Sequence, residues 1–130
     1  MKTVTFIITA LLLAVSTSAF ATGSIAVASD GQGGYAYGLN HDYPDQASAS
    51  AAALAKCDEN RAKYGVATAC KVATWYTNAC GAVATSPNHA LGWSWRNTSS
   101  EASAAAVTNC IKYGGVNCQV QHVDCDGTAR

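Results

Sequence analysis

The stretch that decides the fold is Cys70-Lys71-Val72-Ala73-Thr74-Trp75-Tyr76-Thr77-Asn78-Ala79-Cys80. A weaker copy, again led by a cysteine, runs from Cys118 to Cys125 near the C-terminus. The pentapeptide Ala-Ser-Ala-Ala-Ala precedes both copies and lies four residues ahead of a further cysteine, at 49–53 before Cys57 and at 102–106 before Cys110. Because the order and the spacing recur, the sequence predicts two copies of one structural unit.

Two short strands open each unit. Ile25–Ala28 and Gly81–Ala84 are apolar, β-prone runs, and we align them with each other. The second strands are Gly34–Tyr37 and Gly92–Trp95, in which large aromatic residues alternate with small ones. This period of two is that of a β-strand, and it puts two rings on one face of each strand.

An alanine-rich helix follows the strands in each unit. Thr98-Ser99-Ser100-Glu101 is a capping box that starts the second helix, and Asp45 is the corresponding N-cap of the first. Gly65 is placed to end the first helix. Each unit is therefore β-β-α-β, and we predict an α+β fold of two pseudo-symmetric units, in which two helices pack on antiparallel sheet and disulfides stabilise the whole.

The N-terminus has the pattern of a secretory signal peptide. Lys2 precedes an apolar run from Val4 to Val15, and Ala19-Phe20-Ala21 is a cleavage motif of small residues. We expect cleavage after Ala21 and a secreted or periplasmic protein. The apolar run is shorter than the roughly 20 residues that span a bilayer, so we expect no membrane span in the mature chain. We divide the chain into a signal peptide, 1–21, and one domain, 22–130, with repeat units at about 24–80 and 81–125.

All six cysteines follow the cleavage motif, as expected for three disulfides in an exported chain. Six cysteines allow fifteen pairings, which the sequence alone does not distinguish. The repeat favours a local bridge in each unit, between the cysteine that ends the helix and the one that opens the next strand. Two cysteines at equivalent positions then remain for a bridge between the units. The expected pairs are Cys57–Cys70, Cys110–Cys118 and Cys80–Cys125.

Charge and motif content exclude several classes of function. Eight Lys and Arg residues balance eight Asp and Glu residues without forming runs, so there is no electrostatic footprint for nucleic acid. Neither a Gly-x-Ser-x-Gly elbow nor a glycine-rich phosphate loop occurs. We therefore assign no catalytic residue, no cofactor and no metal site.

The histidines and two aspartates are the remaining candidates for chemistry. His122-x-Asp124 offers two metal ligands on one strand face, against the simpler interpretation of a solvated histidine. Asp42 and Asp45 could mimic the carboxylate pair of a glycoside hydrolase, but Asp45 is better explained as a helix cap. His41 lies in the long loop before the first helix and is kept as a candidate binding residue.

The aromatic side chains of the second strands form the main candidate surface. In one interpretation the rings fill the core on one sheet face. In the other they form a partly exposed platform that stacks sugar rings or accepts a protein partner. Helices of small residues on one face favour the platform, because a thin sheet leaves its other face open. The candidate binding residues on these strands are Tyr35, Tyr37, Trp93 and Trp95.

Several of these segments resemble a known family. They are the alanine-rich helix that ends in Cys57, the Cys70–Trp75 strand, the Asn78–Ala84 junction and the Gly92–Trp95 strand. Together they are similar to small secreted bacterial domains catalogued as domain of unknown function 4189 (DUF4189), over nearly the whole mature chain. The resemblance implies an exported bacterial protein and supplies no catalytic residues.

From these features we expect a non-catalytic binding or interaction module with an unknown protein or glycan partner. The competing interpretation is a small secreted hydrolase that acts on the cell envelope through His41, Asp42 or His122. A third is an envelope structural or stress protein without a specific ligand.

Overall fold

The computed structural model describes residues 21–30 and 34–130. The predicted signal peptide, apart from Ala21, lies outside the described residues, as do residues 31–33 of the first hairpin loop. Ala21 leads directly into the first strand, and its carbonyl accepts a hydrogen bond from the backbone of Asn78 at 2.8 Å.

The described chain folds as β-β-α-β taken twice, in the order that the repeat predicted. The order of strands and helix is therefore the same in both copies of the unit. The elements are β1 (Thr22–Ser29), β2 (Tyr35–Leu39), α1 (Gln46–Tyr64), β3 (Lys71–Thr77), β4 (Cys80–Thr85), β5 (Leu91–Arg96), α2 (Ser99–Lys112) and β6 (Gln119–Cys125).

The strands form two antiparallel three-stranded sheets, with strand orders β2-β1-β3 and β5-β4-β6. In each sheet the first strand of the unit lies in the middle. Its hairpin partner pairs on one side and the strand after the helix pairs on the other. The prediction of an α+β fold built from two similar units is confirmed.

Local sequence sets the helix ends as predicted. The Asp45 carboxylate accepts a hydrogen bond from Ser48 N at 2.7 Å, and the Thr98 hydroxyl accepts one from Glu101 N at 3.2 Å. Both side chains thereby satisfy backbone donors that the first helical turn leaves free. Gly65 ends α1 in the left-handed conformation, with φ of 68°, which glycine adopts without steric cost.

Each helix packs closely on its own sheet through small side chains. A Cβ atom at Gly38 would collide with the carbonyl of Ala53, and one at Gly92 would collide with the carbonyl of Ala106. Glycine at these two strand positions therefore lets the helix backbone approach the sheet. The buried helix residues are Ala49, Ala53 and Cys57 in α1 and Ala102, Ala106 and Cys110 in α2.

The other faces of the two sheets pack against each other. A single apolar cluster joins Ile25 and Leu39 of the first sheet to Val83 of the second, with Tyr76 buried at its centre. The Tyr76 ring lies over Gly23 and Gly81, where a Cβ atom would strike it. The layers are therefore helix, sheet, sheet, helix, and the expectation that a thin sheet leaves its second face open was wrong.

The strand pairing corrects the predicted alignment of the two units. Ala26 pairs with Gly38, and Ala84 pairs with Gly92, with a register shift immediately before each alanine on the side of the third strand. Ala26 thus corresponds to Ala84, and Gly38 to Gly92. The predicted alignments, Ile25–Ala28 with Gly81–Ala84 and Gly34–Tyr37 with Gly92–Trp95, were wrong by two and four residues.

The physical reason lies in the helix contact. Both units have a glycine where the helix backbone contacts the strand, at Gly38 and Gly92. The large aromatic residues are not repeated at equivalent positions, because a ring can be replaced when the residues of the opposing sheet are replaced with it. Consequently Tyr35 and Tyr37 are not the counterparts of Trp93 and Trp95.

The three disulfides join the predicted partners, Cys57–Cys70, Cys110–Cys118 and Cys80–Cys125. The predicted role of the third bridge was wrong, however. Cys80 lies in β4 directly opposite Cys125 in β6, so both belong to the second sheet. Their counterparts in the first sheet are Thr22 and Thr77, which also face each other. The bridge therefore staples the second unit and does not link the two.

Candidate functional site

Tyr35 and Tyr37 line a cleft at the edge where β2 lies over β6. The cleft has a volume of about 610 Å³ and lies partly between the two units, because Gln121 of β6 forms one wall. We call it the tyrosine cleft. Its lining consists of Gly34, Tyr35, Ala36, Tyr37, Asn60, Tyr64, Val66, His89 and Gln121.

The end of α1 shapes one side of the tyrosine cleft. Tyr64 is the last residue of the helix and is 66% exposed, so its ring stands at the rim. One turn earlier, the Asn60 amide donates a hydrogen bond to the Tyr37 carbonyl at 2.9 Å. This bond ties the helix to the edge strand and leaves the Asn60 side-chain oxygen as an acceptor near the cleft.

Each tyrosine of β2 meets an imidazole from the second unit. The Tyr35 and His89 ring centroids are 6.1 Å apart with an interplanar angle of 47°, and those of Tyr37 and His122 are 6.4 Å apart at 60°. These tilted contacts are within the range that aromatic pairs favour. The cleft walls are thus positioned by contacts between the units and not by one unit alone.

The described residues that line the tyrosine cleft include no Asp, Glu, Lys or Arg. Its polar groups are phenol hydroxyls, side-chain amides and one imidazole. Burial raises the pKa of the Tyr37 hydroxyl, and the neighbouring Tyr35 and Tyr64 raise it further, so the phenol stays neutral and can both donate and accept. The site is therefore equipped for an uncharged polar ligand with flat or apolar faces.

Two further clefts adjoin the tyrosine cleft. The amide cleft, of about 720 Å³, shares Tyr35 and Gln121 with the tyrosine cleft and adds Thr85, Ser86, Pro87, Asn117, Cys118 and Gln119. The tryptophan cleft, of about 350 Å³, shares His89 and adds Val27, Ser29, Asn88, Ala90, Leu91, Trp93 and Tyr113. Neither lining contains a charged residue.

The structure separates the four rings that the sequence grouped. Tyr35 and Tyr37 share the tyrosine cleft, whereas Trp93 is half-buried in the tryptophan cleft. Trp95 is 41% exposed and lies outside these clefts, and Trp75 of β3 is 45% exposed. The four candidates therefore do not form one platform, and their role in binding stays a prediction.

His41 lies apart from the clefts in a polar cluster that joins the two units. Its Nδ1 lies 2.9 Å from an Asp42 oxygen. The backbone N–H of Asp42 donates to Asp126 Oδ1 at 2.7 Å, and the N–H of Gly127 donates back to Asp42 Oδ1 at 2.8 Å. We call this reciprocal pair the aspartate clasp. The backbone N–H of Asp42 is thus bonded to the carboxylate of Asp126, while Asp45 caps α1 as expected.

The two carboxyl groups of the clasp have opposite electrostatic environments. Hydrogen bonds from Gly127 N and from His41 hold the pKa of Asp42 below its usual range. Asp126 is fully buried, its Oδ2 has no hydrogen-bond partner among the described residues, and burial raises its pKa to about 6. The Asp126 carboxyl is therefore protonated at mildly acidic pH while Asp42 is ionised.

Two histidine–aspartate pairs lie along the β2–β6 edge. The hydrogen bond to Asp42 raises the pKa of His41, and that to Asp124, at 3.2 Å, raises the pKa of His122. His122 and Asp124 do lie together on β6, as the sequence indicated. Within residues 21–30 and 34–130, however, no three His, Cys, Asp or Glu side chains converge in a way that could hold a metal ion.

The sequence did not identify four residues that matter for these sites: Asn60, Tyr64, Gln121 and Asp126. Tyr64 could have been found from the sequence, because it directly precedes Gly65, the predicted end of α1, and a side chain at a helix end lies at the edge of the fold. Asp126 directly follows the second predicted unit, and nothing in the neighbouring sequence shows that a residue 84 positions earlier donates to it.

The fold and its clefts define a small α+β protein made of two like units, each closed by its own disulfides. The chain belongs to the family described as "Domain of unknown function (DUF4189)", whose model matches residues 23–125. Comparisons with curated proteins and with solved structures returned no match. Neither α1 nor α2, the helices of the described residues, has the length and apolar composition that crossing a membrane requires.

Proposed function

We propose that the protein is an exported, non-catalytic binding module that holds a neutral polyhydroxylated ligand, a glycan, in the tyrosine cleft. The observation that carries the proposal is the lining itself, in which three tyrosine rings and two side-chain amides surround about 610 Å³ without a charged residue. That volume is in the range of about 300–1,000 Å³ that small-molecule sites occupy.

A pyranose ring matches this lining in two ways. Its C–H face is apolar and stacks on an aromatic ring, which loses little conformational entropy when it becomes covered. Its hydroxyls are neutral donors and acceptors, the kind of group that phenols and amides bind. A phosphate or carboxylate ligand lacks a cationic partner in this lining, and an ammonium ligand lacks an anionic one.

The compartment is part of the same proposal. Three disulfides and no free cysteine among the described residues support an oxidising location. With the signal pattern that ends at Ala21, this supports function in the periplasm or in the medium.

Titration calorimetry with neutral oligosaccharides tests the proposal, using wild-type protein, Tyr35→Ala and a matched control. Trp75→Ala is a suitable control because that ring is also exposed but pairs opposite Ser24, on the sheet face that carries α1. We expect Tyr35→Ala to weaken binding at least about tenfold, or about 1.4 kcal/mol, with Trp75→Ala unchanged. Equal loss in both variants, or no binding by wild type, contradicts the proposal.

A hydrolase is the second candidate, favoured by the His122–Asp124 pair beside the tyrosine cleft. His122 touches Tyr37, which lines the cleft, and Asp124 fixes its orientation, the arrangement that a general base needs. Turnover of peptidoglycan or glycans that His122→Ala or His41→Ala abolishes would establish this function and refute the non-catalytic one.

A further inference from the structure

The tyrosine cleft and the tryptophan cleft are counterparts in the two units. With Gly38 equivalent to Gly92, as strand pairing and helix contact require, Tyr35 is equivalent to His89 and Tyr37 to Leu91. Both clefts are lined by these edge residues and by a tyrosine near the end of the unit's helix. Tyr64 is the last residue of α1 and Tyr113 directly follows α2, and the two are not equivalent positions of the repeat.

The two clefts meet at the pseudo-twofold axis. Two equivalent residues can touch each other only if they lie near the axis that relates them. Tyr35 and His89 do so, with ring centroids 6.1 Å apart, and His89 lines both clefts. The clefts, of about 610 and 350 Å³, therefore adjoin at His89, and we call the two together the groove.

The groove repeats the same chemistry on both sides of this contact. Neither half contains a charged residue, and each half offers ring faces together with amide or hydroxyl groups. Two sites of like chemistry in line suit a ligand that repeats like units. A linear polymer that fills both halves binds the second half at high effective concentration, because the first contact already holds it there.

We infer that the ligand is a linear neutral glycan that spans both clefts and crosses the Tyr35–His89 contact. The inference rests on the proposed function and adds that the tryptophan cleft is a second subsite of the same groove. A glycan chain meets the two related halves in opposite directions, and ring stacking tolerates this because either face of a pyranose can cover an aromatic ring. The differences between the halves, such as Tyr37 against Leu91, then determine which direction binds.

Length dependence tests the inference. We would titrate the protein with β-1,4-linked N-acetylglucosamine oligomers and with cello-oligosaccharides, each from monosaccharide to hexasaccharide. The variants are Tyr64→Ala in the tyrosine cleft and Tyr113→Ala in the tryptophan cleft, with Ile111→Ala as control. All three side chains are more than half exposed, at 66%, 66% and 58%, so we expect the variants to fold.

We expect wild-type affinity for at least one series to rise from disaccharide to hexasaccharide, and Tyr113→Ala to remove about tenfold of the hexasaccharide affinity while leaving the disaccharide unchanged. Tyr64→Ala should weaken both ligands, and Ile111→Ala neither. If Tyr64→Ala weakens binding but affinity does not depend on length or on Tyr113, the inference fails and the proposed function stands. If neither series binds, both fail.

Discussion

Asp42 and Asp126 are joined by a hydrogen bond between the two units of the protein, and a second bond returns to Asp42 from Gly127, the residue after Asp126. Asp42 N donates to Asp126 Oδ1 at 2.7 Å, and Gly127 N donates to Asp42 Oδ1 at 2.8 Å. Asp42 belongs to the loop before α1 and Asp126 to the turn after β6, so this clasp closes one end of the sandwich. No disulfide joins the two units among the described residues, and the clasp therefore supplements the contact between the sheets.

We expect stability to depend on pH through the buried carboxyl group of Asp126. Its pKa is raised by burial to about 6 in the folded protein, against about 3.9 in the unfolded chain. The unfolded state thus releases the proton first as the pH rises. The free energy of unfolding is therefore highest below pH of about 4 and falls between about pH 4 and 6, by up to about 3 kcal/mol. Urea denaturation of wild type and Asp126→Asn measures it, since the variant should lack this slope. An equal slope in both proteins would show that another group is responsible.

We expect Asp42→Ala to destabilise the protein by about 1–3 kcal/mol, because it removes an acceptor from Gly127 N and from His41. Asp42 also has a φ of 58°, which Asn tolerates better than Ala. Asp42→Asn is therefore the control and should retain most of the stability. Amide hydrogen exchange at Gly127 reports the same bond and should quicken only in the alanine variant. An unchanged exchange rate at Gly127 in the alanine variant would contradict the hydrogen bond from Gly127 to Asp42.

We expect the Cys80–Cys125 bridge to contribute more stability than the Cys110–Cys118 bridge. Their sequence separations are 45 and 8 residues, and loop-closure entropy predicts about 4 and about 2.5 kcal/mol. Paired Cys→Ala variants measured by guanidinium denaturation compare them. If the shorter bridge proves to contribute as much, restriction of the unfolded chain is not how the longer one stabilises the fold.

We expect Gly92→Ala to cost about 2–3 kcal/mol, since its Cβ would collide with the backbone of α2 at Ala106 and Cys110. Gly65→Ala is the comparison. No atom of the described residues lies within 4 Å of a Cβ atom placed at Gly65. Only its left-handed φ of 68° opposes a side chain there, at a cost of about 1 kcal/mol. Thermal denaturation ranks the two, and a smaller loss at Gly92 would mean that helix and sheet separate easily.

Features governed by neighbouring residues could be predicted from the sequence. Asp45 and Thr98 were identified as caps because a cap bonds to the turn that follows it. The two local disulfides were found because a helix end and the next strand start lie on either side of one turn. The sheet-on-sheet contact could not be found in this way, because Tyr76 is buried by Gly23 and Gly81, and neither glycine indicates which ring will cover it.

The site was predicted in part for the same reason. The alternation of large and small residues on β2 identified Tyr35 and Tyr37 as candidates. Their grouping with Trp93 and Trp95 was wrong, because the two units were aligned by their large rings and not by the glycines that contact the helices. Asp126 stayed hidden because its partner is remote in sequence. Whether a carboxyl group is buried depends on the residues that surround it in the fold, and the residue type alone does not indicate this.

The most direct test of the central claim is a two-dimensional NMR titration of the mature protein with a neutral hexasaccharide. We expect chemical-shift changes concentrated at residues of the tyrosine cleft and its neighbours, namely Tyr35, Tyr37, Tyr64, His89 and Gln121. A spectrum that does not change with either oligosaccharide series, or changes confined to the aspartate clasp at Asp42 and Asp126, would contradict the account.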